Sequence, residues 1–180
     1  MLNRLHLNYI REAVPFIAVL LIGLAIFLAD LFEVANPFAR EIVLVVVSLS
    51  KSAWFVRYVV QRIQESVEQE FYFHEFIIFI SIGIVLFILS YAIDFYCLYE
   101  IRSDAFRGLP AQSDLLSDFV TFFYFSITNF TTAGLGDILP NIPAARIFVA
   151  SELIISFFFT ILILTNISNL RDSFAQKSKP

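Results

Sequence analysis

The stretch "TNFTTAGLGDILP", Thr128–Pro140, differs in composition from the rest of the chain and decides how the chain is interpreted. The chain has 180 residues, of which 59% are hydrophobic, and it contains five glycines. Two of those glycines, Gly134 and Gly136, lie in this stretch, and Asp137 follows them directly. Long apolar runs flank the stretch on both sides, so those runs decide where such a loop can lie.

Four segments are apolar enough to be interpreted as helices that cross a membrane, because such a helix needs ~20 apolar residues. We name them segment A (Ala13–Phe32), segment B (Pro37–Val60), segment C (Phe76–Ile93) and segment D (Ala145–Leu170). Together they predict an all-α membrane protein with four transmembrane helices. A signal peptide is the alternative for segment A, but no clear small-residue cleavage site follows it.

Segment B carries two cations, Lys51 and Arg57. They lie about 120° apart around an ideal helix, so they do not form one stripe. We interpret them as anchors that snorkel toward one membrane surface. The alternative is a voltage sensor, which needs more charges than segment B offers. After segment B, apolar residues at helical spacing from Val60 to Phe71 predict a helix that lies on the membrane surface.

A short helix is expected to lead into the quoted stretch. Ser113 and Asp114 are candidate side-chain caps for its start, and it should end at Phe130. A loop at membrane depth must be buried in protein or line water, so we expect several copies of the chain around an axis. Glycine permits left-handed backbone, and an alternation of handedness would aim successive carbonyls at that axis. Rings of carbonyls can replace the water shell of an ion.

The sequence "YFSITNFTTAGLGDILP", Tyr124–Pro140, resembles the pore-helix and selectivity-filter signature of tetrameric potassium channels, T-T-x-G-[YFL]-G-D-x-x-P. The sequence "ARIFVASELIISFFF" resembles the inner helix of prokaryotic two-helix pore domains. Such helices commonly carry an Arg, a Glu and a Gly where Arg146, Glu152 and Ser156 stand in this chain. The resemblance covers Phe71 to Leu170 and does not extend to segments A and B.

The resemblance implies a set of site residues. The residues that would line the filter are Thr132, Ala133, Gly134, Leu135 and Gly136, with potassium bound at Thr132, Ala133, Gly134 and Leu135. Those expected to support the filter are Thr131, Asp137 and Glu152. Asp137 would cap the outer side and bond to the pore helix or to a neighbouring chain. Glu152 would find a structural partner near the pore helix.

Three positions depart from the family pattern. Leu135 replaces the more common tyrosine, whose hydroxyl braces the filter from behind, and Ala133 replaces a β-branched residue. Ser156 replaces the hinge glycine of the inner helix. These departures keep a second interpretation open, in which the protein is a weakly selective cation channel. A third is a non-conducting membrane subunit that assembles with or anchors another protein.

The sequence therefore predicts a homotetramer that conducts potassium passively, each chain carrying a re-entrant pore helix and filter loop between its last two transmembrane helices. Residues 1–75 would hold two transmembrane helices and the surface helix, residues 76–170 the pore domain, and residues 171–180 a cytoplasmic tail. Six Lys and Arg residues on the side of the termini against four on the other predict that both termini are cytoplasmic, in a multi-pass protein of the plasma (inner) membrane.

Other classes of function are disfavoured. The net charge of −4 includes no basic block, so nucleic acid is not an expected partner. Cys97 is the single cysteine, and His6 and His74 are the only histidines, so neither a zinc centre nor a disulfide is expected. The chain offers no nucleophile–base set, and we do not expect an enzyme. The expected partners are membrane lipid, further copies of the chain and permeant potassium ions, with no cofactor.

Overall fold

The computed structural model describes residues 36–68, 73–109 and 114–177. Within them, four helices follow in order: α1 (Pro37–Glu68), α2 (Phe73–Ile101), α3 (Leu115–Phe130) and α4 (Pro143–Lys177). Two short strands, β1 (Phe106–Arg107) and β2 (Leu139–Pro140), pair antiparallel between the helices, a feature that the all-α prediction did not include. Segment A lies outside the described residues, so the fourth transmembrane helix stays a prediction.

Three helices in the described part of the chain are long and apolar enough to cross a membrane. Their candidate spans are Phe38–Gln61, Ile80–Ile101 and Pro143–Thr165, which correspond to segments B, C and D. The protein is therefore a mostly helical membrane protein. The helix α4 begins at a proline, which is favourable there because the first turn does not need that residue's N–H.

Two expected boundaries differ from the structure. The helix α2 continues to Ile101, beyond the predicted end of segment C at Ile93, so Asp94 lies within the helix and is fully buried. The helix α1 continues without a break to Glu68. Residues 60–68, expected to begin a separate surface helix, are therefore the last turns of α1. Their position relative to the membrane surface stays a prediction.

Lys51 does not snorkel to a membrane surface. Its side chain is buried, and its ammonium group is 2.7 Å from each carboxylate oxygen of Asp94. The anchor interpretation is wrong for this residue, because a carboxylate on the neighbouring helix offers its cation a partner. Arg57, by contrast, is exposed.

The helices α1, α2 and α4 pack side by side, with α2 antiparallel to the other two. A cluster of four phenylalanines joins them with the end of α3. Ring centroids lie 5.2 Å apart for Phe55 and Phe87, 5.9 Å for Phe87 and Phe130, and 6.3 Å for Phe130 and Phe159. Such aromatic pairs contribute about 0.5–1.5 kcal/mol each beyond their buried area. The cluster therefore holds the last residue of α3 against three neighbouring helices.

A second aromatic cluster holds the middle of α3 against α2 and β1. The ring of Phe106 in β1 lies 5.2 Å from Phe122, 5.7 Å from Phe125 and 5.7 Å from Phe95 of α2. All four rings are buried. Phenylalanines therefore position α3 at its middle and at its C-terminal end.

The paired strands return the chain to the end of α2. In the pair, Phe106 is opposite Pro140, and the backbone N–H of Asn141 donates to the carbonyl of Ala105 at 2.8 Å. The side-chain amide of Asn141 donates to the carbonyl of Asp104 at 2.9 Å. The loop between α3 and β2 thus begins at Phe130, alongside the spanning helices, and ends beside the connection that follows α2.

Candidate functional site

The helix α3 directs its C-terminal end toward the interior of the protein. Its start is less regular than expected: Asp114 is at the N-cap position with φ −83° and ψ 162°, but its side chain makes no capping hydrogen bond. Ser113, the other candidate cap, lies outside the described residues. At the other end, Phe130 contacts Phe87 and Phe159, both of which lie within candidate membrane spans. The helix therefore ends beside two spanning helices.

The residues after α3 form a Schellman-type cap on its last turn. The N–H of Thr132 donates to the carbonyl of Asn129, and the N–H of Ala133 donates to the carbonyl of Thr128, both at 2.9 Å. In this motif the residue after the C-cap is left-handed and is usually glycine. Here it is Thr132, with φ 57°. A β-branched residue in this conformation is strained, and such strain of about 1–3 kcal/mol is concentrated at functional sites.

Backbone handedness alternates along the loop. The backbone dihedral φ is 57° at Thr132, 52° at Gly134 and 77° at Gly136. Ala133 and Leu135, which lie between them, do not have positive φ. The left-handed conformation expected at the two glycines is therefore confirmed. An alternation of this kind gathers successive N–H groups on one side of the chain and leaves carbonyls for the other side.

One side of this loop is open in the single chain. Residues 131–137 are all exposed, and Leu135 retains 64% of its accessible surface. A Cβ atom built on Gly134 or Gly136 meets no atom of the described residues within 4 Å. The loop therefore presents its backbone along a surface of the chain instead of burying it in the chain's own core.

The second half of α3, which leads into the loop, rests on buried polar groups of α4. Glu152 is fully buried, and the hydroxyl of Ser126 in α3 is 2.5 Å from its Oε1 atom. The same hydroxyl lies 2.9 Å from the carbonyl oxygen of Ile88. One hydroxyl carries one proton, so these two acceptors compete for it unless the acid also carries a proton. Glu152 thus joins α4 to the rear of α3, where a structural partner was expected.

Ser156 connects α4 to the end of α3. Its hydroxyl donates to the carbonyl of Phe130, the last residue of α3. The last carbonyls of a helix lack partners within that helix, so a hydroxyl at this position satisfies one of them. The residue that stands at the place of the family's glycine therefore adds a contact that glycine cannot make.

Asp137 lies at the end of the loop and bonds to α3. Its Oδ2 atom accepts a hydrogen bond of 2.6 Å from the hydroxyl of Tyr124, and its Oδ1 atom accepts one of 3.0 Å from the N–H of Ile138. The hydrogen bond from Tyr124 lowers the pKa of the Asp137 carboxyl, because it stabilises the ionised form. Thr131, the other support residue, donates from its hydroxyl to the carbonyl of Ile127 at 2.7 Å.

The structure thus places the eight expected site residues on one loop and on the helix behind it. Their roles stay predictions, because no bound ion tests them. Sequence reasoning missed three residues of the site: Tyr124, Ser126 and Ser156 as a hydrogen-bond donor. Ser126 on α3 offered a weak signal, since a polar group on an aromatic-rich helix needs a partner when it is buried.

A family model described as "Ion channel" matches residues 97–171. The match begins near the C-terminal end of α2 and covers α3, the loop, β2 and most of α4, while α1 lies outside it. No curated protein and no solved structure matches the chain. The match supports an ion channel family and points to a role in transport, not in enzymatic catalysis.

Proposed function

We propose that the protein is the subunit of a homotetrameric potassium channel, with residues 132–136 as its selectivity filter. The observation that carries this proposal is the alternation of backbone handedness at Thr132, Gly134 and Gly136, in an exposed loop at the end of α3. The resemblance of Tyr124–Pro140 to the family signature and the ion channel match agree with it.

The position of the loop supports assembly from several chains. Its backbone is exposed although it follows a helix that ends between spanning helices. Backbone of this kind is tolerated at membrane depth only where it is covered by protein or lines water. Four copies around an axis would provide both conditions, and α3 would then be a re-entrant pore helix. Carbonyls of the loop would face the axis and replace the hydration shell of potassium.

The same geometry suggests how the filter would be supported. Glu152 and Ser126 would brace the pore helix from behind, and Asp137 would fix the outer end of the filter through Tyr124. Residues 1–75 would form the part outside the pore domain, residues 76–170 the pore domain and residues 171–180 a tail. Both termini would be cytoplasmic, in the plasma membrane.

Purified protein in lipid bilayers tests the proposal. We expect a fourfold-symmetric tetramer and currents whose reversal potential follows the potassium gradient when potassium and sodium are opposed. A monomer or dimer in both mild detergent and lipid would overturn the assembly. Tetramers that carry no current under any voltage would favour a non-conducting assembly subunit.

One observation favours a second candidate, a weakly selective cation channel. Leu135 is 64% exposed and lacks the hydroxyl with which the more common tyrosine would brace the filter. The substitution Leu135→Tyr separates the two candidates. If the filter is already potassium-selective, the preference over sodium stays the same or rises slightly, whereas a weakly selective filter becomes markedly more selective.

A further inference from the structure

A buried ion pair connects α1 to the helices of the proposed pore domain. Asp94 of α2 is fully buried, and the ammonium group of Lys51 in α1 is 2.7 Å from each of its carboxylate oxygens. Ser48 of α1 donates to Oδ2 of Asp94 at 2.5 Å. All three residues lie within candidate membrane spans. Charged side chains are costly there and mark functional positions.

A chain of hydroxyls runs next to this pair, from α1 to α4. The Tyr91 hydroxyl on α2 lies 3.0 Å from the hydroxyl of Ser52 and 2.9 Å from that of Ser151. Ser151 donates to the carbonyl of Phe148 at 2.8 Å. Because each hydroxyl has one proton, the consistent arrangement has Ser52 donating to Tyr91 and Tyr91 donating to Ser151. Tyr91 is therefore a polar link between α1 and α4.

The hydroxyl chain ends in the turn of α4 that carries Glu152. Ser151 precedes Glu152, and Glu152 contacts Ser126 on the rear of α3. A shift of α1 along α2 would break the ion pair and move Ser52 away from Tyr91. A shift at Tyr91 would in turn change the position of the turn that carries Glu152.

We propose that Lys51, Asp94 and Tyr91 are positioning residues for conduction. They hold α1 in one register against α2 and thereby keep Glu152 in contact with Ser126 behind the proposed filter. This inference rests on the proposed function. An ion pair in an apolar interior specifies a single register, because any displacement leaves charges without partners. Apolar contacts between α1 and α2 would not specify the register in this way. The helix α1, which the ion channel match does not cover, becomes part of the conducting machinery.

The first test removes one hydroxyl. Tyr91→Phe keeps the ring packed between Phe87 and Phe95 and breaks the link between α1 and α4. If that hydrogen bond is made only in the conducting state, its loss shifts the ratio of conducting to non-conducting channels about fivefold. We expect faster decay of potassium current during sustained recording. The matched control is Tyr99→Phe on the same helix, which should decay as wild type does.

The second test removes both charges. Replacing one partner leaves a buried charge unpaired, whereas replacing both with apolar residues often restores stability. Lys51→Met with Asp94→Leu should therefore assemble as a tetramer with wild-type thermal stability. The same double variant should still show the faster current decay, because apolar residues no longer specify the register. Arg57→Met on the exposed side of α1 is the control and should conduct as wild type does.

The outcomes separate this inference from the proposed function. Wild-type tetramers without current would overturn the proposed function and this inference with it. The inference alone would be overturned if wild-type tetramers conduct and the currents of Tyr91→Phe and of the double variant decay at the rate of their controls. If the double variant matches wild type in both thermal stability and current decay, the ion pair is merely structural and the inference is wrong.

Discussion

Gly108, which lies against Asp137, and the loop glycines Gly134 and Gly136 share a left-handed backbone but differ in what surrounds them. At Gly108, which follows β1, φ is 91° and an added Cβ would lie 1.8 Å from the carbonyl oxygen of Asp137. At Gly134 and Gly136, φ is 52° and 77°, and an added Cβ would meet no described atom within 4 Å. The first glycine is required by contacts within one chain. The other two are required by backbone conformation, and no described residue crowds them.

The comparison shows two different physical reasons for a glycine in one region. The chain needs Gly108 where β1 approaches the backbone of Asp137, since backbone atoms cannot yield as a flexible side chain can. Under the proposed function, Gly134 and Gly136 are needed because their left-handed backbone would direct carbonyls toward the ion path. Substitutions at the two places should therefore fail in different ways.

The largest effect is expected for Gly108→Ala. The clash with the Asp137 carbonyl adds to the about 1–3 kcal/mol that left-handed backbone costs a non-glycine residue. We expect little assembled protein and a strongly lowered midpoint of thermal unfolding. Size-exclusion chromatography and thermal unfolding in detergent measure this. Normal assembly and stability of Gly108→Ala would show that the two backbone segments can separate without cost.

Gly136→Ala and Gly134→Ala should leave the assembled protein intact and stop potassium conduction. Each substitution places a Cβ on a left-handed residue, which costs about 1–2 kcal/mol, but that Cβ meets no neighbour among the described residues. We expect a tetramer that carries no potassium-selective current in bilayer recordings. Wild-type selectivity in Gly136→Ala would contradict the assignment of the filter.

The buried contact between α3 and α4 is expected to be more tolerant of a change that keeps hydrogen bonding. Glu152→Gln supplies an amide that can donate to Ser126, so that Ser126 can donate to the carbonyl of Ile88. Glu152→Ala leaves the hydroxyl of Ser126 without that partner and opens a cavity. We expect Glu152→Ala to lose about 1–3 kcal/mol of stability and to conduct for a shorter time, with Glu152→Gln close to wild type. If Glu152→Ala matches wild type in current decay and thermal unfolding, the hydrogen bond is not important.

The smallest effect is expected at the exposed end of the loop. The hydrogen bond from Tyr124 lowers the pKa of Asp137, so the contribution of this contact is present above the ordinary carboxyl pKa. It is lost as pH falls through the lowered pKa of the folded protein. In Tyr124→Phe the pKa of Asp137 should rise toward its ordinary value, and potassium current should decline at a higher pH than in wild type. A titration of current against external pH in both proteins measures the difference. Identical acid limits would mean that Asp137 is held by other partners.

Sequence reasoning predicted the parts of the site that depend on local composition. The three described spans follow from apolar runs, and α3 follows from a short aromatic-rich segment between them. The left-handed backbone at Gly134 and Gly136 follows from the absence of a Cβ atom in glycine, which permits positive φ in any context. The same reasoning did not predict that Thr132 would be left-handed. That conformation comes from the cap on α3, and a β-branched residue is a poor indicator of it.

The errors lie where a residue's partner is distant in the chain. Segment C was predicted to end at Ile93, directly before Asp94, and a carboxylate is costly in an apolar helix unless it has a partner. The polar face of α1 offered a signal, since Ser48, Lys51 and Ser52 lie three and four residues apart and thus on one side of a helix. That signal indicates a buried polar partner but does not say which residue it is.

The sequence by itself determined that this chain crosses a membrane and that one glycine-bearing loop differs from everything around it. Hydropathy, helix length and the backbone freedom of glycine are properties of short stretches, so they can be read without the fold. Only the tertiary structure decided that Lys51 pairs with Asp94, that Glu152 meets Ser126 and that Gly108 lies against Asp137. Each of these contacts joins different elements across the packed helices. Its energy depends on burial and on distances of a few ångströms, which only the folded chain establishes.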